Sequence, residues 1–92
     1  MIFGVILNAD EKETQYMDEQ LRELTAHHTD EKLQLEAFEK SSQLLEKLEK
    51  MDILDIAVVD VSISEGLDAA REIRRLFPKT EILIMADISV SP

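Results

Sequence analysis

A repeated change of hydrophobic period constrains this chain more than any single residue does. Short uninterrupted apolar runs, IFGVIL at 2–7 and IAVV at 56–59, alternate with longer stretches whose apolar residues recur every three or four positions. A run of that length bounded by polar residues suits a strand covered on both faces, and the wider spacing suits a helix buried along one stripe. Neither kind of segment is stable unless the other covers it.

Taken in order, IFGVIL predicts a first strand ending at Asn8, Ala9 and Asp10. EKETQYMDEQLRELTAHHT (11–29) predicts an amphipathic helix with Met17, Leu21, Leu24 and His28 inward. LQLEAF (33–38) alternates Leu33, Leu35 and Ala37, as a strand with one more polar face does. Ser41 or Ser42 is placed to cap a second helix with Leu44, Leu45, Leu48 and Met51 on its inner face. IAVV is a third strand, and GLDAAREIRRLF (66–77) a third helix using Leu67, Ala70, Ile73 and Phe77, with Pro78 as its stop. EILIMADI (81–88) predicts a fourth strand. Strand–helix alternation of this kind builds a parallel sheet with helices on both faces. The expected class is α/β, as one domain over residues 1–92.

Composition narrows the function. The chain has no cysteine, which excludes disulfides, thiolate metal sites and a thiol nucleophile. Twenty Asp and Glu against ten Lys and Arg give a formal net charge of -10, which repels phosphate backbones and argues against direct nucleic-acid binding. The apolar runs fall far short of the roughly 20 residues a membrane helix needs. The start, MIFGVILNADE, has no basic segment before its apolar stretch, so the expectation is a soluble, cytoplasmic protein with no membrane contact.

In an open parallel sheet, sites form outside the carboxyl ends of the strands, where the strand order reverses. Asp10 follows the first strand and Asp60 ends the third. Were those strands neighbours, about 4.8 Å apart, their carboxylates would meet at that edge. With Glu11 and a backbone carbonyl they would suit a hard cation such as Mg²⁺. Acids also follow strands simply because loops are polar, and the spacing alone leaves both readings open. The other chemistry-bearing residues read as structural. His27 and His28 suit a helix end, and Met17, Met51 and Met85 suit packing positions. Arg71, Arg74 and Arg75 form a solvated face, while Ser62 and Ser64 have no base placed to activate them.

The stretch DILDIAVVDVSISEGLDAAREIRRLFPKTEILIMAD (52–87) resembles the receiver domain of two-component response regulators. It shows that family's third strand, aspartate, Gly-started helix and fourth strand in order. ADEKE (9–13) resembles the acidic end of the family's first strand, and LEAFEKSSQLLEKLEK (35–50) its second strand and helix. The resemblance implies a flavodoxin-like sheet of order 2-1-3-4. It implies Asp60 as phosphoacceptor, Asp10 and Asp60 as Mg²⁺ ligands assisted by the Ser62 carbonyl, and a histidine kinase or effector domain as partner.

The sequence departs from that pattern at several positions. Ala9 replaces the first of the paired acids, and Ala86 replaces the hydroxyl residue ending the fourth strand, with Ser89 a few residues on. The loop VSISEG brings Gly66 two residues early. The family continues through a fourth helix, a lysine-bearing fifth strand and a fifth helix, whereas this chain stops at Ser91 and Pro92, so the expectation is a cut piece of a longer regulator. An apolar fourth strand left at an edge favours pairing with another copy, so a homodimer is expected. The expected function is an atypical receiver acting as a phosphorylation-independent or weakly phosphorylatable interaction and dimerisation module. The alternatives are a phosphoacceptor receiver using Asp60 and Mg²⁺, and a small flavodoxin-like enzyme, ranked last for want of a base or phosphate loop.

Overall fold

The change of period is realised as seven elements. The computed structural model describes residues 1–86. In it β1 (Ile2–Leu7), α1 (Glu11–His28), β2 (Leu33–Phe38), α2 (Ser41–Leu48), β3 (Ile56–Asp60), α3 (Gly66–Leu76) and β4 (Glu81–Met85) follow one another. The strands form one sheet of order β2-β1-β3-β4 with every pairing parallel. Val5, Ile6 and Leu7 of β1 and Ala57, Val58 and Val59 of β3 are buried, as continuous apolar runs in the middle of a two-sided sheet must be.

Each sheet face has its own core. On one face Val5, Leu7, Ala57 and Val59 pack with Leu44 and Leu48 of α2 and Ala69, Ala70 and Ile73 of α3. On the other, Ile6 and Val58 pack with Leu21 of α1, flanked by Met17, Leu33, Leu35 and Met85. At the amino ends of the strands Asp55 fixes the register. Its backbone N–H donates to Phe3 O at 2.8 Å, and its Oδ2 accepts from Phe3 N at 2.8 Å. Its carbonyl accepts from Glu81 N at 3.0 Å, so one loop residue joins β1 to the start of β4.

Several local expectations are corrected. Leu24 is 57% exposed and His28 is exposed, because α1 packs over β1 and β2 and nothing described covers its outer flank. Leu67 is 49% exposed, and Ala69 takes the inward position instead. Ser41 does not cap α2. Lys40 holds the cap position without a side-chain bond, and the buried Ser41 hydroxyl donates to Ser64 O at 2.7 Å. The helix α3 ends at Leu76, and Phe77 is its C-cap. The strand β4 ends at Met85, so Ala86 lies beyond it, while Asp87, Ile88 and Ser89 lie outside the described residues.

On the solvent face of α3, Arg75 hydrogen-bonds Glu72 and holds that carboxyl below the usual carboxylate range. The small stability linked to this exposed pair is full above the unfolded carboxyl's pKa and is lost as pH falls through the folded one.

Candidate functional site

Neighbouring parallel strands bring the two acids to one edge. Leu7 of β1 pairs with Val59 of β3, so one step further Asn8 stands level with Asp60. A cleft of about 320 Å³ opens there, lined by Asn8, Ala9, Asp10, Glu13, Asp60, Ser62, Met85 and Ala86. Asp10 and Asp60 therefore share a site. Glu11, the first residue of α1, does not line it. Ala9 and Ala86 line it with methyl groups, and neither side chain can donate a hydrogen bond.

Asp10 begins α1. Its Oδ1 accepts from the backbone N–H groups of Lys12 at 2.9 Å and Glu13 at 3.1 Å, two donors that a helix start otherwise leaves unpaired. The buried Asn8 carboxamide completes the arrangement, accepting from Asp10 N at 2.7 Å and donating through Nδ2 to Glu13 Oε2 at 3.1 Å. Asn8 and Glu13 are site residues that the sequence reading did not single out. The spacing D-x-x-E from Asp10 to Glu13 was the available signal, since it marks a capped helix start. Asp10→Ala is expected to destabilise the fold by about 1 kcal/mol, measured by urea denaturation.

Asp60 sits at the end of β3, half-buried, in a tightly wound loop. Its Oδ1 accepts from Ser62 N at 2.9 Å and from Ser62 Oγ at 2.5 Å. Val61 N donates to Met85 O at 2.8 Å, so the β3–β4 pairing continues past Asp60. The loop then turns through Glu65, whose φ of 61° is left-handed, and Gly66 starts α3 directly against the Asp60 carbonyl. An ideal Cβ on Gly66 would lie 2.4 Å from that oxygen, so no other residue type fits without movement.

Among the described residues no three His, Cys, Asp or Glu side chains are grouped to hold a metal ion. Asp10 and Asp60 each accept protein hydrogen bonds at Oδ1, and no donor among the described residues reaches either Oδ2. Mg²⁺ binds through as few as one or two carboxylates while keeping several waters, so the donor set fits a weakly held Mg²⁺ and no closed cage.

The remaining candidates lie elsewhere. His27 and His28 are exposed in the last turn of α1. The Ser64 carbonyl accepts from Ser41, and Arg74 donates to Pro78 O at 2.6 Å. Met17, Met51 and Met85 are partly buried against the two cores. A larger groove of about 560 Å³ lies toward the amino ends of β1 and β2, with Phe3, Glu36, Lys47, Lys50, Met51 and Asp52 in its wall, and there Lys47 pairs with Glu36 at 3.7 Å. Among the described residues no helix is long and apolar enough to cross a membrane.

This topology is similar to that of a solved structure described as the MaeR response regulator bound to beryllium trifluoride. The two chains superpose with a TM-score of 0.67 at 12% sequence identity, over 98% of this chain and 70% of the other. The fold is receiver-type. The predicted α/β class and strand order are those observed. No protein-family model matches the chain, and no curated protein matches it.

Proposed function

We propose that this chain is an atypical receiver module of signal transduction, acting through protein–protein contacts, with Asp60 as a weakly phosphorylatable aspartate. The observation that carries this reading is the shared cleft at the carboxyl edge, where Asp60 lies with Asp10 and Ser62 on a receiver-type sheet. Two features support weak chemistry. Ala9 and Ala86 withhold a carboxylate and a hydroxyl from the cleft, and the remaining acids are partly committed to the α1 cap and the Ser62 turn. Bound Mg²⁺ would offset the charge of an incoming phosphoryl group. The chain's own part is to present the free oxygen of Asp60 to a phosphodonor, a histidine kinase or a small acyl phosphate. The module carries no enzymatic activity of its own toward a separate substrate.

The partners are a kinase or effector domain and a second copy of the chain. Self-association is supported by β4, an edge strand among the described residues. Its Leu83 and Ile84, on opposite faces, are 49% and 55% exposed. Such an edge is a template for strand pairing, and a charge on it blocks pairing. Light scattering after size exclusion is expected to give a dimer, and Leu83→Lys a monomer. A wild-type monomer at high concentration overturns the dimer. The phosphoacceptor reading is tested by mass spectrometry after incubation with acetyl phosphate and Mg²⁺. A small fraction carrying one phosphoryl group, absent in Asp60→Asn, is the expected result, and no adduct on any variant overturns the reading.

A further inference from the structure

We infer that Ser62 holds Asp60 in its unphosphorylated form. The inference rests on the reading of Asp60 as a phosphoacceptor and concerns how far its phosphorylation proceeds. Both donors of Ser62, the backbone N–H at 2.9 Å and the hydroxyl at 2.5 Å, converge on Oδ1 of Asp60, and no donor among the described residues reaches Oδ2. The nucleophile is therefore Oδ2.

The contact is held from outside the turn. Val61 N is tied to Met85 O at 2.8 Å, the Ser64 carbonyl is tied to the Ser41 hydroxyl at 2.7 Å, and Gly66 is packed against the Asp60 carbonyl. Ser62 lies between these anchors, so its hydroxyl is presented to the carboxylate by the fold.

The chemistry gives the sign of the effect. In the forward step Oδ2 attacks phosphorus of an acyl phosphate or phosphohistidine. The Oδ2–P bond forms, the bond from phosphorus to the donor breaks, and its electron pair leaves with the donor. Oδ1 then changes from a carboxylate oxygen, sharing a full negative charge, to the neutral carbonyl oxygen of an acyl phosphate. A hydroxyl donates more strongly to the charged oxygen than to the neutral one. Ser62 therefore stabilises free Asp60 more than phosphorylated Asp60, opposing the gain. In hydrolysis a water oxygen bonds to phosphorus, the Oδ2–P bond breaks with its electron pair returning to the carboxylate, and the water's protons leave with the inorganic phosphate or pass to solvent; the same donor stabilises the departing charge. Ser62 slows phosphorylation and speeds its loss. It is a positioning residue, since it acts through Asp60 and touches no phosphodonor in this arrangement.

The test uses the full chain with acetyl phosphate and Mg²⁺, comparing wild type, Ser62→Ala, Ser62→Thr and Asp60→Asn. The steady-state ratio of phosphorylated to free protein is read by mass spectrometry, and the lifetime of the adduct is followed after the donor is removed. Ser62→Ala is expected to raise the ratio about tenfold, the scale of one hydrogen bond to a charged group, and to lengthen the lifetime. Ser62→Thr, which keeps the hydroxyl, is expected to return both to wild-type values. A purely structural role for Ser62 would lower the melting temperature without this paired shift and rescue. A ratio in Ser62→Ala equal to or below that of a wild type that does label overturns the inference while leaving the phosphoacceptor reading intact. An adduct in Ser62→Ala with wild type silent supports the inference. No adduct on any variant overturns both.

Discussion

Gly66→Ala is expected to destabilise the protein by about 3 kcal/mol, the upper end of what forcing extra volume into a packed site costs. The new methyl would stand 2.4 Å from the Asp60 carbonyl oxygen and 3.0 Å from Val61 Cα, and both neighbours are backbone. Side chains can rotate away from a clash, but the Asp60 carbonyl belongs to a strand end paired with Met85 of β4 and held by the Val61–Met85 bond. The start of α3 must therefore move off the sheet. The same movement loosens the Ser62 turn, so Gly66→Ala is also expected to raise the phosphorylated fraction at Asp60, in the direction of Ser62→Ala. Urea denaturation reads the first effect, as a lower midpoint with an unchanged slope. A midpoint equal to wild type would mean that α3 slides at no cost and that the close approach is not a constraint.

Ile73→Ala is expected to cost about 4 kcal/mol, within the range for removing most of a large buried aliphatic side chain. Ile73 is 0% exposed and belongs to the core that joins α3 to β1, β3 and α2. The cavity would be walled by sheet residues such as Val5, Leu7 and Val59, which are fixed by strand pairing on both sides and relax little. A domain of this size has a total stability on the order of 5–13 kcal/mol, so the variant would retain a modest margin. A cost below about 1 kcal/mol would show that the site collapses readily, contrary to the close packing of the three elements around it.

The sequence made the strands legible because burial on both faces leaves little freedom in what they contain. IFGVIL and LQLEAF coincide with β1 and β2 to the residue, and IAVV with β3 apart from the terminal Asp60. The helices were found by period, but period does not say how wide a stripe the rest of the fold covers. Leu24 and Leu67 lie at helical spacing and are exposed, because their flanks face solvent in this arrangement of three helices. At the start of α2 local pattern fails for a related reason. Ser41 is the residue type that caps, but its hydroxyl is worth more on the Ser64 carbonyl, a contact 23 residues away that no local pattern reveals.

The site was legible in position and only partly in composition. Asp10 and Asp60 were placed together by the rule that parallel sheets carry their sites at the carboxyl edge, and the cleft brings them together. The Asn8–Glu13 hydrogen bond and the double contact of Ser62 with Asp60 depend on side-chain reach across a turn, which neither spacing nor composition encodes. These contacts also commit Oδ1 of Asp10 and of Asp60, which spacing alone leaves available.

The central claim is that Asp60 is the responsive group of a receiver-type module, and amide NMR with beryllofluoride and Mg²⁺ tests it most directly. The account predicts concentration-dependent shifts centred on Asp60, Val61, Ser62 and Gly66, spreading to Asn8 and Asp10, and absent in Asp60→Asn. Saturation should require high metal and fluoride, as two half-committed carboxylates imply. No shift at these residues, or the same shifts in Asp60→Asn, would contradict it.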